Sequence, residues 1–266
     1  MTEETTTPDS SYSPHFNFRI FAAEMDPSDE RLVFALRYQV YCLERFFLPA
    51  ENYPTGIEQD EYDACSTHIA AYSLTGFLVG SLRLVTPLNG DRFPFEEHCT
   101  ELFTDREHPP RNKCTEISRL VISKLYRRRT NDTIYGVSSH LVEEDPDDQD
   151  INDRRKEKRD DSERRKLQPE ILLGLLKHVY LHCKRHGISH AYMALEKPLL
   201  RLLRRLLFCS LEPIGKQSDY YGPVIPCILS VEYFEEALSN GDPLLFAWFQ
   251  EVPTETISIA PLTQPI

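Results

Sequence analysis

A chain of 266 residues, 41% hydrophobic and 27% charged, is long enough to bury a sizeable core as one domain or one and a half. Its formal net charge of -12 argues against a general nucleic-acid binder, which carries a basic excess. Seven scattered cysteines without a C-x-x-C pair indicate neither a disulfide scaffold nor a zinc site, so a reducing cytoplasm is the simplest compartment.

Residues 1–16, acidic and rich in Thr, Ser and Pro, read as a flexible tail without the basic and apolar regions of a signal peptide. A short strand is expected over 16–22. Asp26-Pro27 then opens a helix, with Asp as N-cap, Pro at the first helical position and Asp29 and Glu30 near the positive end of the dipole. Leu32, Leu36, Val40 and Leu43 are its expected buried stripe, and Arg37 and Tyr41 lie one turn apart beside it. Alternation predicts strands over 68–74, 77–85 and 116–122, the first two joined by a Thr75-Gly76 turn. A short helix is expected around 96–103. Residues 143–166 contain almost nothing to bury and read as an inserted mixed-charge segment.

Pro169 begins a helix with Leu172, Leu176, Val179 and Cys183 on one face, and Gly187 ends it. A strand over 188–195 follows, then a helix over 198–208 that gathers Arg201, Arg204 and Arg205 on one face. A last strand over 224–231 leads to helices over 232–240 and 243–250. The apolar residues around Trp248 predict that this end docks on the body. No apolar run is long enough to span a bilayer.

Charges placed in these apolar segments mark the candidate site, because an unpaired buried charge is costly. They are Asp60 and Asp63, Arg83, and Glu116 with Arg119. Residues three apart in a strand point to opposite faces. Glu116 and Arg119 therefore converge only if a bulge or twist intervenes, and a bulge there would be a functional device. No G-x-G-x-x-G, P-loop, G-x-S-x-G or H-E-x-x-H is present, so nucleotide, serine-hydrolase and zincin chemistry lack their parts. His182 and His186 are spaced as a metal pair, but an exposed helix end is the expected reading and no metal is expected.

The order Arg37, Tyr41, Phe46 or Phe47, Asp60-x-x-Asp63, His68, Gly80-x-x-Arg83 and Glu116-x-x-Arg119 resembles the acyl-homoserine lactone autoinducer synthases and N-acyl amino acid synthases. Both are GNAT-like acyltransferases. The runs 37–41, 95–99 and 116–122 resemble more closely the PEP-CTERM/exosortase-associated acyltransferases, over about residues 18–126. The resemblance implies an α/β (α+β) GNAT-like acyl-CoA N-acyltransferase fold: a central mixed, twisted sheet with a V-shaped splay, flanked by helices. It implies one domain over 17–240, carrying the insertion at 143–166, with an apolar helix and tail over 241–266. Arg37, Tyr41, Phe46, Phe47, Asp60 and Asp63 would then bind the acceptor, and Leu120, Ile122 and Met193 would line an acyl pocket.

A CoA-using GNAT carries a Gln/Arg-x-x-Gly-x-Gly/Ala loop, whose backbone N–H groups approach a pyrophosphate, where this chain has Ser123 to Thr130. Lys124, Arg127, Arg128 and Arg129 replace it, either as a solvated basic turn or as a docking patch for an acidic acyl carrier protein; the Arg201 face is a second such patch. The expected activity is transfer of a fatty acyl group from acyl carrier protein thioester to a small amine such as an amino acid, with the phosphopantetheine thioester as donor and no permanently bound cofactor. Glu116 is the expected general base, held by Arg119 or Arg83, which complete the catalytic set, and bulge N–H groups are the expected oxyanion donors. An acyl-CoA-dependent GNAT and a non-catalytic sensor of acyl carrier remain the alternatives.

Overall fold

The computed structural model describes residues 12–21, 25–87, 92–105, 108–127, 166–209 and 211–252. Strand β1 (Phe16–Phe21) precedes helix α1 (Pro27–Tyr38), which Asp26 caps through the Ser28 amide. Strands β2 (Ser66–Ser73) and β3 (Leu78–Val85) form the expected hairpin; its turn uses Gly76 at φ +85°, a left-handed conformation that glycine adopts without steric cost. Helix α2 (Pro94–His98) leads to β4 (Cys114–Ile122). Helix α3 (Gln168–His186) ends at Gly187, φ +64°, and is followed by β5 (His190–Glu196) and helix α4 (Lys197–Leu206). The short β6 (Glu212–Pro213) and β7 (Ser218–Asp219) flank the long β8 (Pro223–Ser230), and helices α5 (Val231–Gly241) and α6 (Pro243–Gln250) close the described chain.

The sheet runs β1-β2-β3-β4-β5-β8-β6, with β7 on β8. Every described pairing is antiparallel except β4 with β5, and that parallel pair requires a long crossover, to which α3 belongs. Registered pairing of β4 with β5 stops at Ile117 opposite Met193, although β4 continues to Ile122 and β5 to Glu196. The two strands therefore part, and the expected V-shaped splay opens there.

Both faces of the sheet are covered. Ile69 and Ala71 of β2 pack into the main core with α3, α5 and α6; their neighbours Ala70 and Tyr72 point the other way, onto Val33 and Phe34 of α1. This is the two-residue period of a strand buried on both sides. Leu245, Trp248 and Phe249 of α6 are buried and belong to or pack against the main core, so the apolar end docks on the body as its composition predicts. No described helix is long and apolar enough to cross a membrane.

Several elements depart from the sequence expectation. The buried face of α1 is Val33, Phe34, Leu36, Arg37 and Val40, while Leu32 and Leu43 are each half exposed. A π-helical turn over Gln39–Glu44 closes its hydrogen bonds over one more residue than an α-helix and so takes Leu43 out of the stripe, while the carboxylates that bind Arg37 draw its side of α1 inward rather than that of Leu32. Helix α2 ends at His98 rather than near Phe103, because the Phe103 amide donates to Ile214 O at 2.8 Å and Leu102 bridges Gly215. Ile188 and Ser189 belong to the α3 cap instead of β5, their amides donating to Cys183 O and Lys113 O. Val231 begins α5 under a Ser230 cap. The insertion at 143–165 lies outside the described residues, as do Arg128 and Arg129.

Candidate active site

Three arginines and three carboxylates form one enclosed network between α1 and the sheet. Arg37 Nε donates to Glu58 Oε2 at 2.5 Å, and its Nη1 and Nη2 reach Asp63 Oδ1 and Oδ2 at 2.6 and 3.1 Å. Arg83 Nη1 donates to Asp60 at 2.5 Å and to Asp63 at 2.9 Å, while its Nε donates to Ser118 Oγ at 3.1 Å. Arg119 Nη2 donates to Glu58 at 3.0 Å and Asp60 at 2.8 Å. Arg37, Arg83 and Glu58 are at most 1% exposed. Burial by itself raises the Asp63 pKa, but the charge of Arg37, its hydrogen bonds and the charge of Arg83 outweigh this and hold the carboxyl well below the usual range. The three positive and three negative charges cancel within the network, which is what makes its burial tolerable.

Local chain geometry places these groups. The turn before β2 is a capping box: Asp60 accepts from the Tyr62 amide and Asp63 accepts from the Asp60 amide, so each aspartate is aimed by its own backbone. On β4, Arg119 sits at φ +51° and the register slips, Arg83 facing Ser118 while Ser81 faces Val121. Three residue steps on β4 thus match two on β3, the bulge that the sequence requires. It brings the Arg119 guanidinium to Glu58 and Asp60 on the Arg83 side, at a conformational cost on the order of 1–3 kcal/mol offset by those ion pairs.

Glu116 corrects one expectation. Neither Arg83 nor Arg119 is its hydrogen-bond partner; Oε2 accepts from the Phe95 amide at the start of α2, at 2.9 Å. Its Oε1 is buried without a hydrogen-bond partner among the described residues. Arg83 Nη2 is likewise buried without a hydrogen-bond partner among the described residues, so the carboxyl's turn to the backbone leaves one donor and one acceptor unsatisfied. Burial pushes its pKa up to about 8, with the Phe95 amide and the charges of Arg83 and Arg119 opposing the rise. The carboxyl is therefore largely protonated at neutral pH and becomes a base as the pH approaches 8. Nearby His68 is driven down to about 4 by burial, so its 3.7 Å approach to Asp63 is not an ion pair at neutral pH.

A cavity of about 190 Å³ opens at the splay. Glu116, Ser118, Arg119, Tyr220 and Tyr221 line its polar end. Leu120, Ile122 and Met193, the three expected acyl-pocket residues, line its apolar part with residues of α3 and α4. Tyr41 and Phe47 also line it, and the Tyr41 and Tyr221 rings lie 5.6 and 4.7 Å from the Arg119 guanidinium carbon. Phe46 does not join them: it is 81% exposed at φ +53°, the left-handed backbone turning its ring outward. Arg37, Asp60, Asp63 and Arg83 stand behind the cavity wall, not on it, because their side chains are turned toward one another inside the network, where each of the three Arg37 nitrogens donates to a carboxylate.

At the mouth, Arg127 lines the cavity and pairs with Glu44, as Arg45 pairs with Glu196. Lys124 is exposed beside this mouth, and Arg201 and Arg205 are exposed on α4, while Arg204 donates to Leu211 O at 2.7 Å. Glu58, Tyr220 and Tyr221 are site residues that sequence reasoning missed. Glu58 had a signal in its proximity to Asp60. The tyrosines, 100 residues downstream, had none; Tyr221 reaches the site through a positive φ of 54° before β8.

Residues 36–135 match the family model described as the acetyltransferase (GNAT) domain. The chain has a GNAT acyltransferase fold. Among solved structures, it resembles TofI in a ternary complex with an inhibitor and MTA, at TM-score 0.53 and 16% identity over 86% of this chain and 98% of that one. BjaI, a CoA-dependent acyl-homoserine lactone synthase with SAM and isopentyl-CoA, gives TM-score 0.54 and 17% identity over 87% and 88%. The AHL synthase LasI gives 0.54 and 15% over 85% and 96%. No curated protein matches the chain. The GNAT domain match begins within α1 and takes in the network, the bulge and Glu116, leaving α3 to α6 outside it.

Proposed function

We propose that the chain is an N-acyltransferase that moves a fatty acyl group from the phosphopantetheine thioester of acyl carrier protein to the amine of a small acceptor, an amino acid. The observation that carries this reading is Glu116: a buried carboxyl with one oxygen bonded to backbone and the other without a partner among the described residues, on the polar end of a cavity whose other end is apolar. In the proposed step, the acceptor nitrogen attacks the thioester carbonyl. The C–N bond forms as the C–S bond breaks, and Glu116 takes the amine proton and returns it to the leaving sulfur. A carboxyl pKa near 8 suits that exchange, since a proton carrier works best close to the operating pH. Backbone N–H groups of the bulge at Arg119 and Leu120, both on the cavity wall, are assigned to the developing oxyanion.

Arg37, Asp60, Asp63 and Arg83 take the role of a rigid frame in this reading. Tyr41, Phe47 and Tyr221 wall the acceptor, and Arg119 links frame to wall through its ion pairs and its stacking on two tyrosines. The donor is assigned to acyl carrier protein because Lys124 and Arg127 stand where a CoA-binding glycine loop is absent. The motif resemblance over residues 18–126 supports a place among the PEP-CTERM/exosortase-associated acyltransferases, and seven free thiols suit a reducing cytoplasm. Mass spectrometry of lipid extracts from cells with and without the protein tests the reading: an N-acylated amino acid present only with the active protein is expected, and identical extracts would contradict it.

A further inference from the structure

A second cavity of about 40 Å³ lies against the first and shares four of its walls: Ile117, Leu176, Met193 and Leu203. Ile117 and Met193 are the last registered pair before β4 and β5 part, so the partition stands at the apex of the splay. The far side is floored by Phe234 of α5 and Phe249 of α6. Apart from the Tyr180 ring and the Cys183 thiol, apolar side chains line this chamber, and the Tyr180 hydroxyl is committed to Glu235 at 2.7 Å. Cys183 carries a thiol that burial keeps protonated by raising its pKa to about 12.

From this geometry, and resting on the acyl-transfer reading above, we propose that the acyl group is a straight chain whose last one or two carbons, as many as about 40 Å³ admits, pass Met193 into this second chamber, and that Met193 and Phe249 set the chain-length preference. The polar end of the first cavity fixes where the thioester lies, and hence the direction in which the chain must run. Its tail meets Met193, an unbranched side chain with three rotatable bonds that yields without disturbing the strand. Beyond it no polar group awaits a partner, so every methylene that enters exchanges water for apolar wall. Each such methylene raises kcat/KM by about fourfold. The specificity device then lies at the meeting of β5 with the C-terminal helices, while Glu116 and the ionic network lie within the matched domain.

The test is the ratio of kcat/KM for decanoyl over octanoyl pantetheine thioesters, measured on the full chain. Phe249→Trp fills the floor and should lower that ratio at least tenfold; Met193→Ala removes the partition and should raise it. Should Met193→Ala fail to fold, Met193→Leu, which keeps the volume but branches the side chain, is expected to lower the ratio and replaces it. An unchanged ratio in folded Phe249→Trp and in either Met193 variant overturns the inference while leaving acyl transfer standing. Wild-type protein that transfers neither chain to any amine overturns the reading beneath it.

Discussion

Glu116 concentrates the chemistry at the scale of single residues, and its environment makes a signed prediction. Its carboxyl pKa rises from 4.5 in the unfolded chain to about 8 in the fold. Between those values the folded state holds a proton that the unfolded state has lost, so stability is fully present below about pH 4.5 and declines as pH rises through 8. At about 1.36 kcal/mol per pKa unit the loss is at most about 5 kcal/mol. Glu116→Gln should remove this decline, so the variant gains stability relative to wild type between pH 5 and 9 in denaturant titrations. The same variant should lose turnover far more than donor binding, and with it the alkaline rise in rate. A second prediction concerns Arg83, whose Nη1 joins both aspartates. Arg83→Ala leaves buried carboxylates short of a partner and should cost about 3–5 kcal/mol in chemical denaturation. An unchanged midpoint would place the network's strength elsewhere.

At the scale of elements, the order of strands and helices was legible in the sequence, because alternation, caps and turn residues are local signals. Asp26-Pro27, Thr75-Gly76 and Gly187 all act where their chemistry predicts. The bulge at Arg119 was legible too, since two charges three apart on one strand need it to share a face. What the sequence could not supply was pairing at a distance. Arg37 reads as a solvated helix charge until Glu58 and Asp63, more than 20 residues away, are brought to it. The π-helical turn that takes Leu43 out of the buried stripe has no local signature. One prediction belongs to this scale: on α3, a Cβ at Gly174 would lie 2.0 Å from Phe18 Cζ, and that ring is pinned by stacking on His178 at 5.0 Å. Gly174→Ala should therefore destabilise by about 1–3 kcal/mol despite better helix propensity. A raised Tm would show that β1 yields freely.

Over the whole molecule, a formal charge of -12 opposes an acidic carrier, while at the cavity mouth Arg127 and Arg45 are paired with Glu44 and Glu196 and Lys124 is exposed close by in sequence. Beyond about 8 Å at physiological salt the remote carboxylates are largely screened, so the local field governs contact. Lys124→Glu combined with Arg127→Glu should raise KM for acyl carrier protein severalfold, with a steeper effect at low salt, while a carrier-free acyl-pantetheine thioester is affected less. Equal effects on both donors would assign Arg127 to the cavity through its Glu44 contact rather than to docking. The central claim, acyl transfer to an amine, is tested most directly by thiol release from acyl carrier protein thioester, followed by mass spectrometry of the product. Purified protein should release thiol only when an acceptor amine is present, in one-to-one ratio with a new amide. Carrier binding without thiol release, across a broad amine panel and a range of chain lengths, would contradict it and make the cleft a sensor.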